Sequence, residues 1–596
     1  MRDFYTNPLE NGGNMIYNNV VIYAFTKEEN RMTEIKKQIA DALCTAAGGA
    51  IDAAELCAAL EYPPSAELGD LAFPCFRLSK TMRKAPPAIA AELAEKFSCP
   101  AVGRVQVAGG YLNLFLDKEY LVRHILACTL HADKPYGGSE DGKGKTVVLD
   151  YSSPNVAKPF HIGHLGTTVI GHSLKKLHAF AGWNCVGVNH LGDWGTQFGK
   201  LIVAYRKWGD REKVEAGEID ELVSLYVRFH AEAEKDPSLE DAARAEFTKL
   251  EAGDKDNLAL WKWFIEISLR EYQKTYDQLG ITFDSYKGES FYYDKVPAVV
   301  ETLREKGLLK IDDGASIVDL EPYGMPPCLI LKNDGSSIYP SRDIAAAIYR
   351  KETYNFDKCI YVTSAGQSLH FAQWFKVVEL MGYDWYDKLV HVPYGTVSID
   401  GAKLATRTGN VVLLKDLFAT AIEKARAIIE EKNPTLENKD EVAKQVGVGA
   451  IVFHYLSNGR IKDINFVMED ALSFDGNTGP YAQYTYARMR SILRRAEAPA
   501  NGENPKVTSP EEVELAKVIS RFPERVQAAI AEYEPSNITR YILDLCAAFN
   551  RFYHECPILS AEDADVRETR LALVTAASDV LGNALDLICM GKPEQI

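Results

Sequence analysis

The chain has 596 residues, 46% of them hydrophobic and 25% charged, with a formal net charge of −16. That length exceeds one core and suits about four domains. The balanced composition excludes a disordered, collagen-like or coiled-coil chain, and the negative charge speaks against general coating of nucleic acid while leaving room for a local basic face.

No apolar run approaches the roughly 18 residues of a membrane span, and the N-terminus lacks the basic start and apolar stretch of a secretion signal. Eleven scattered cysteines without a C-x-x-C pair fit free thiols in the cytoplasm rather than a zinc ribbon.

Residues 1–31 are polar and Asn-rich and read as a loose extension, with Met32 as an alternative start. Residues 32–120 predict a small α+β domain: an Ala-rich helix, a second Ala/Lys-rich helix and strands at 104–108 and 111–116. A Gly/Lys/Asp-rich stretch, 137–145, marks a linker. The β-branched run 146–150, the loop 151–160 and the periodic segment 162–180 spell strand, loop, helix. Further strands are expected at 184–188, 316–318, 328–331, 358–362 and 391–397, with helical patterns between several of them. This alternation predicts a doubly wound parallel sheet, a Rossmann-like α/β domain over 121–437. Residues 200–280 are charged and helical and read as an insertion. From 438 to 596 strand signals almost vanish, and amphipathic helices such as 481–496 and 538–553 predict an all-α unit.

In a doubly wound fold, ligands bind at the carboxyl ends of the strands, and phosphates settle on the following helix N-terminus. His161-Ile162-Gly163-His164 falls there. The i, i+3 spacing can put both imidazoles on one side of the turn, and Gly163 leaves room for a base. If ATP is attacked at its α-phosphorus, donors aimed at the phosphoryl oxygens stabilise the transition state, and neither histidine need be a nucleophile. Four letters alone favour a plainer reading, a chance helical pair or half of a zinc site.

The surrounding residues reverse that preference. The run from Asp150 to Gly166, followed by Asn189 to Gly199, resembles the catalytic core of arginyl-tRNA synthetases. Class I synthetases share the HIGH loop. Ser153-Pro154-Asn155 before it and Gly192-Asp193-Trp194-Gly195 after it look like the arginyl enzymes in particular. Glu67-Leu68-Gly69-Asp70 and the run from Gly110 to Phe115 look like the family's N-terminal domain, which touches the tRNA elbow. The run from Gly476 to Arg488 opens what looks like its helical anticodon-binding domain.

The resemblance implies a cytoplasmic enzyme, a monomer, that activates L-arginine with ATP and Mg2+ and passes the arginyl group to tRNA(Arg). It implies no zinc, no organic cofactor, and no membrane or DNA partner. The adenylate step is expected to need tRNA.

A guanidinium is a planar, permanently charged fork, so its pocket needs carboxylates that accept paired N–H bonds, with aromatic or amide groups to orient it. Glu289, Tyr339, Asp343 and Gln367 stand in family-like contexts for this. A carboxylate at a helix start such as Asp343 is also favoured by the helix dipole alone. Tyr339 and Asp343, four apart, can face the same way. Ser153 and Asn155 are expected at the α-amino and carboxylate end of the amino acid, although Ser-Pro-Asn is also an ordinary turn. The resemblance places His161, His164, His370 and Lys403 at ATP. Such a pocket rejects uncharged side chains directly, so no editing domain is expected.

The second class I signature departs from the family. Lys403 keeps its first lysine, but Thr406 stands at the second, and Thr408 stands where some arginyl enzymes have lysine. Lys158, just before the HIGH loop, is the expected substitute, with Arg407 sharing the phosphate contact. The plain alternative for Lys158 is a solvated loop lysine. On the tRNA side, Arg488, Arg490, Arg494 and Arg495 load one helix with charge, and Tyr481, Tyr484 and Tyr486 offer rings for stacking on anticodon bases. Two other readings stay open: a HIGH-superfamily nucleotidyltransferase acting on a small molecule, and an inactive paralogue that binds RNA or a partner.

Overall fold

The computed structural model describes residues 31–49, 51–131, 134–399, 402–403, 412–496 and 500–596. The N-terminal extension and residues 404–411 of the second signature lie outside the described residues.

The first domain opens with the helix Arg31–Ala46. Its antiparallel sheet has the order β1-β3-β2, from β1 (Leu71–Pro74), β2 (Val102–Ala108) and β3 (Tyr111–Leu116). All of β1 is buried, as are Leu112 and Leu114 of β3, beneath the helix Pro86–Lys96. The Glu67–Asp70 motif has a clear packing reason. Gly69 holds φ +98°, and a Cβ there would sit 2.8 Å from the Leu114 carbonyl oxygen. Asp70 accepts the Leu116 N–H at 2.8 Å and pairs with Lys517 of the C-terminal domain, so the motif also joins two domains.

The parallel sheet has four strands in the order β10-β9-β4-β5, from β4 (Thr146–Asp150), β5 (Asn184–Val188), β9 (Lys358–Ser364) and β10 (Leu389–Tyr394). Val147, Val148 and Leu149 are fully buried, as a central parallel strand covered on both faces requires. The helix Leu165–Phe180 packs close to this strand because Gly171 meets the Tyr151 ring, where a Cβ would lie 2.2 Å from the Tyr151 Cβ.

Two expected strands belong elsewhere. Residues 316–318 and 328–331 lie in β7 (Ala315–Val318) and β8 (Cys328–Leu331), which with β6 (Leu309–Asp312) form a separate antiparallel sheet. The expected strand 391–397 also breaks. Gly395 turns away from β10 to donate to the Arg460 carbonyl at 2.8 Å. The chain then resumes as β11 (Val397–Ile399), flanked by β12 (Ala402–Lys403) and by β13 (Ile464–Phe466), a short strand from beyond residue 438.

The insertion is four helices, Thr196–Trp208, Arg211–Ala233, Ser238–Glu251 and Lys255–Leu279, around a core that includes Phe198, Leu222, Phe229 and Phe264. The chain ends in a helical domain built on Gly479–Arg495, Pro510–Ser520, Phe522–Ala531, Ser536–Glu555 and Ala564–Leu587. Tyr455 reaches from its edge to Gly166, where a Cβ would lie 2.2 Å from the tyrosine oxygen, so the HIGH helix packs tightly against this part of the chain. Among the described residues no helix is long and apolar enough to cross a membrane.

Candidate active site

At the end of β4 the backbone is forced through unusual conformations: Ser152, Ser153 and Ala157 all hold positive φ, at 71°, 48° and 59°. Non-glycine residues adopt this region only when their surroundings impose it, and such strain gathers at functional sites. The constraints are visible. Ser153 donates through Oγ to Asp150 Oδ1 at 2.9 Å, and its N–H donates to Asn189 at 3.1 Å. The Tyr272 hydroxyl lies 2.8 Å from the carbonyls of both Asn155 and Lys158. Asn155 is exposed and bridges to Gly192, where any Cβ would strike its side-chain oxygen.

The loop then delivers the two histidines. His161 caps the short turn Ile162–His164. Its Nδ1 accepts the Gly163 N–H at 3.1 Å, while His164 Nδ1 accepts the His161 N–H at 3.2 Å, and the ring centroids are 4.0 Å apart. Burial lowers the His164 pKa to about 3 and, with the Lys158 charge, lowers that of His161. Both rings are therefore neutral near pH 7. With each Nδ1 occupied as an acceptor, each ring carries its proton on Nε2 as a donor. Gly163 also serves the pair: a Cβ there would lie 2.8 Å from the His161 ring.

Lys158 is exposed. The base of the second-signature loop is stitched to the HIGH loop: Ile162 N–H donates to Val412 O at 3.1 Å, and Leu414 N–H to Phe160 O at 3.0 Å. Lys403 ends β12 opposite Ser398, while Arg407, Thr406 and Thr408 lie outside the described residues.

Of the expected amino-acid residues, Tyr339 and Asp343 lie in the first turns of the helix Tyr339–Tyr354, and Glu289 is tied to it through Arg342. Asp343 meets His370 Nε2 at 2.6 Å. Glu289 accepts from Arg342 Nη1 at 2.6 Å, and Arg342 also donates to the Ser337 carbonyl and hydroxyl at 3.0 and 3.2 Å. Burial pushes the Glu289 carboxyl up to about 7 against the pull of Arg342, with Asp343 and Asp193 adding repulsion. Tyr339 is 67% exposed, and among the described residues no hydrogen bond joins it to Asp343. Gln367 is exposed at the end of the turn Ala365–Gln367.

Sequence reasoning missed a buried cluster farther along the same helix. Arg350, 1% exposed, binds Asp150 Oδ2 at 2.7 Å and meets His190 Nδ1 at 3.0 Å. The available signal was Asp150 itself, an acid ending an apolar strand.

On the helix Gly479–Arg495, Tyr484 is 41% exposed and Arg488 lies over both its ring and that of Tyr553, at 5.0 and 5.2 Å. Tyr481 is partly buried, its hydroxyl accepting from Asn550 at 2.9 Å, and Arg495 is exposed. One expectation fails here: Tyr486 is buried in the core, unavailable for stacking. Arg490 and Arg494 are paired with Glu594 of the C-terminal tail. Tyr553 was not foreseen, because it comes from another helix.

The chain matches three family models: "Arginyl tRNA synthetase N terminal domain" over 33–116, "tRNA synthetases class I (R), catalytic domain" over 126–468, and "DALR anticodon binding domain" over 482–596. It is 50% identical over 568 residues to the arginine–tRNA ligase of Alkaliphilus metalliredigens, covering 95% of this chain and all of that one. It is 53% identical over 540 residues to that of Clostridium perfringens, covering 90% and 96%. The solved arginyl-tRNA synthetase of Thermus thermophilus aligns with a TM-score of 0.79 at 27% identity, covering 95% of this chain and all of that one.

Proposed function

The chain belongs to the arginyl-tRNA synthetase family of class I synthetases, and on that premise we propose how its residues divide the reaction that joins arginine to its tRNA. An arginine carboxylate oxygen attacks the α-phosphorus of ATP, forming arginyl-adenylate as pyrophosphate leaves. A hydroxyl of the terminal tRNA ribose then attacks the arginyl carbonyl, and AMP leaves.

The observation that carries this reading is the imidazole pair. Two neutral rings whose Nδ1 atoms are committed to backbone amides present Nε2–H donors without the charge that a protonated histidine would bring. We assign these donors to the α-phosphate. Lys158, Lys403 and Arg407 serve the pyrophosphate, with Mg2+ arriving as part of the ATP complex. Asp343 takes the arginine guanidinium, with Tyr339 and Gln367 around it and Glu289 contributing its second oxygen. Ser153 and Asn155 orient the backbone end. His370 spends Nε2 on Asp343, leaving Nδ1 for the nucleotide.

The face of Tyr481, Tyr484, Arg488 and Arg495, extended by Tyr553, suits the anticodon. The first domain suits the tRNA elbow. All eleven cysteines are free thiols, which supports a cytoplasmic setting, and we take the enzyme to act as a monomer without membrane or DNA partners.

The test is charging of bulk tRNA with each labelled amino acid in turn. Arginine alone should be incorporated, and His161→Asn should lose the reaction. Absence of arginine incorporation sinks the reading.

A further inference from the structure

Two acids of the amino-acid pocket, Glu289 and Asp343, share it with one resident guanidinium, while a third acid, Asp193, is bonded to the Ser290 N–H and hydroxyl. Asp343 lies close enough for Glu289 to feel its charge, and Arg342, 15% exposed, is fixed between the Glu289 carboxylate and Ser337 by three donors. Among the described residues, Asp343 has no lysine or arginine within ion-pair distance, only the His370 imidazole. Glu289 binds Arg342 through one oxygen, Oε2.

We propose that Arg342 is a resident guanidinium that sets the charge of this site: two carboxylates less one fixed cation leave one charge vacancy, which a single substrate guanidinium fills. The proposal rests on the assignment of Asp343 to arginine recognition and deepens it. Arg342 acts as a positioning residue, since it touches Glu289 rather than the substrate.

The physical argument is one of compensation. A buried carboxylate beside Asp343 and Asp193 takes up a proton unless a cation holds it ionised. A protonated Glu289 offers a substrate guanidinium far less than an ionised one. Arg342 pulls Glu289 towards its charged form against burial, which still leaves the carboxyl near 7, and by occupying Oε2 leaves only Oε1 for a ligand. The three donors on Arg342 also fix where that remaining oxygen points. The same count explains selectivity against a neutral isostere of arginine, which would leave Asp343 unpaired.

The deciding experiment is chemical rescue of Arg342→Ala, followed through the KM for arginine in aminoacylation. The variant should show a KM raised roughly tenfold or more. Millimolar methylguanidine should lower it again by refilling the vacated seat, whereas methylurea, its neutral isostere, should not. In the wild-type enzyme methylguanidine should only compete with arginine. Arg342→Lys, which keeps the charge, should retain a KM nearer wild type than Arg342→Gln does. Equal loss in Lys and Gln variants, or equal rescue by methylguanidine and methylurea, would show packing rather than charge and overturn the proposal. If Arg342→Ala fails to fold, the Lys and Gln comparison decides. Asp343→Asn separates the two levels: unchanged arginine KM there defeats the pocket assignment itself, whereas a raised KM there without charge-specific rescue at Arg342 defeats only the role of Arg342.

Discussion

His164 holds the backbone of His161, its Nδ1 accepting that residue's N–H at 3.2 Å, so the two signature imidazoles are one mechanical unit. Replacing His164 with alanine removes both an Nε2 donor and the anchor of its partner. The rate of adenylate formation should fall on the order of 100- to 1000-fold, the scale for losing a preorganised donor to a developing anion. His164, lowered to about 3, should add no protonation limb to the wild-type rate between about pH 6 and 8. Single-turnover measurements across that range check both statements.

The same burial makes stability depend on pH with a definite sign. His164 and His172 are lowered to about 3, and His178 and His391 to about 4, in each case first by desolvation. The unfolded imidazoles titrate near 6.5, so between these values the unfolded chain binds more protons than the folded one. Stability from these groups is complete above about pH 6.5 and is lost as pH falls towards 4. Each contributes on the order of 1 kcal/mol per pH unit in that window. Urea midpoints measured from pH 7.5 down to 5 should fall, and a flat profile would contradict the buried neutral state.

The buried pair Arg350–Asp150 gives a sharper mutational expectation. Arg350→Met leaves Asp150 in a pocket with no cation in reach among the described residues, and breaking a buried pair on one side typically costs about 3–5 kcal/mol. Because Asp150 also holds Ser153, the strained loop carrying Asn155 should loosen. Calorimetry should show a lowered Tm together with a raised KM for arginine.

What could be read from the sequence was local. The strand Thr146–Asp150 was legible because a central parallel strand is a continuous β-branched run, and the histidines because their spacing and flanks are contiguous. Strands β7 and β8 were legible as strands, but their sheet was not, since pairing depends on partners distant in the chain. The pocket shows the same limit. Asp343 and Glu289 could be named as acids, yet their partners, His370 and Arg342, are separated from them by 27 and 53 positions. Tyr486 was indistinguishable from Tyr484 by composition. Their two-residue spacing, about 200° around a helix, sends one ring to the core and the other to solvent.

Lys158 carries the next expectation. It is exposed, its charge reaches both imidazoles, and Val412 and Leu414, just after the second signature, are hydrogen-bonded to Ile162 and Phe160 of its loop. If it replaces the lysine missing at Thr406, Lys158→Ala should slow adenylate formation by about 100-fold, a few kcal/mol of leaving-group stabilisation, with a smaller effect on the KM for arginine. Activity close to wild type would return Lys158 to the role of a solvated loop residue.

The face formed by Tyr484, Arg488 and Tyr553 should behave as a tRNA surface and nothing else. Arg488 is held by Asn550 at 2.7 Å and lies over two exposed rings, so the guanidinium stiffens a platform to which unpaired bases could add. Stacking of a base on an aromatic ring is worth about 1–3 kcal/mol. Tyr553→Ala should therefore raise the KM for tRNA by roughly 5- to 150-fold, with Tyr484→Ala in the same range. The double variant should fall short of the product, since both rings share one arginine. At saturating tRNA the KM values for arginine and ATP should stay put, because this face and the HIGH loop belong to different domains. A fall in kcat at unchanged tRNA KM would instead mean that the rings serve packing of the helical domain. That alternative is already disfavoured for Tyr553 by its 45% exposure.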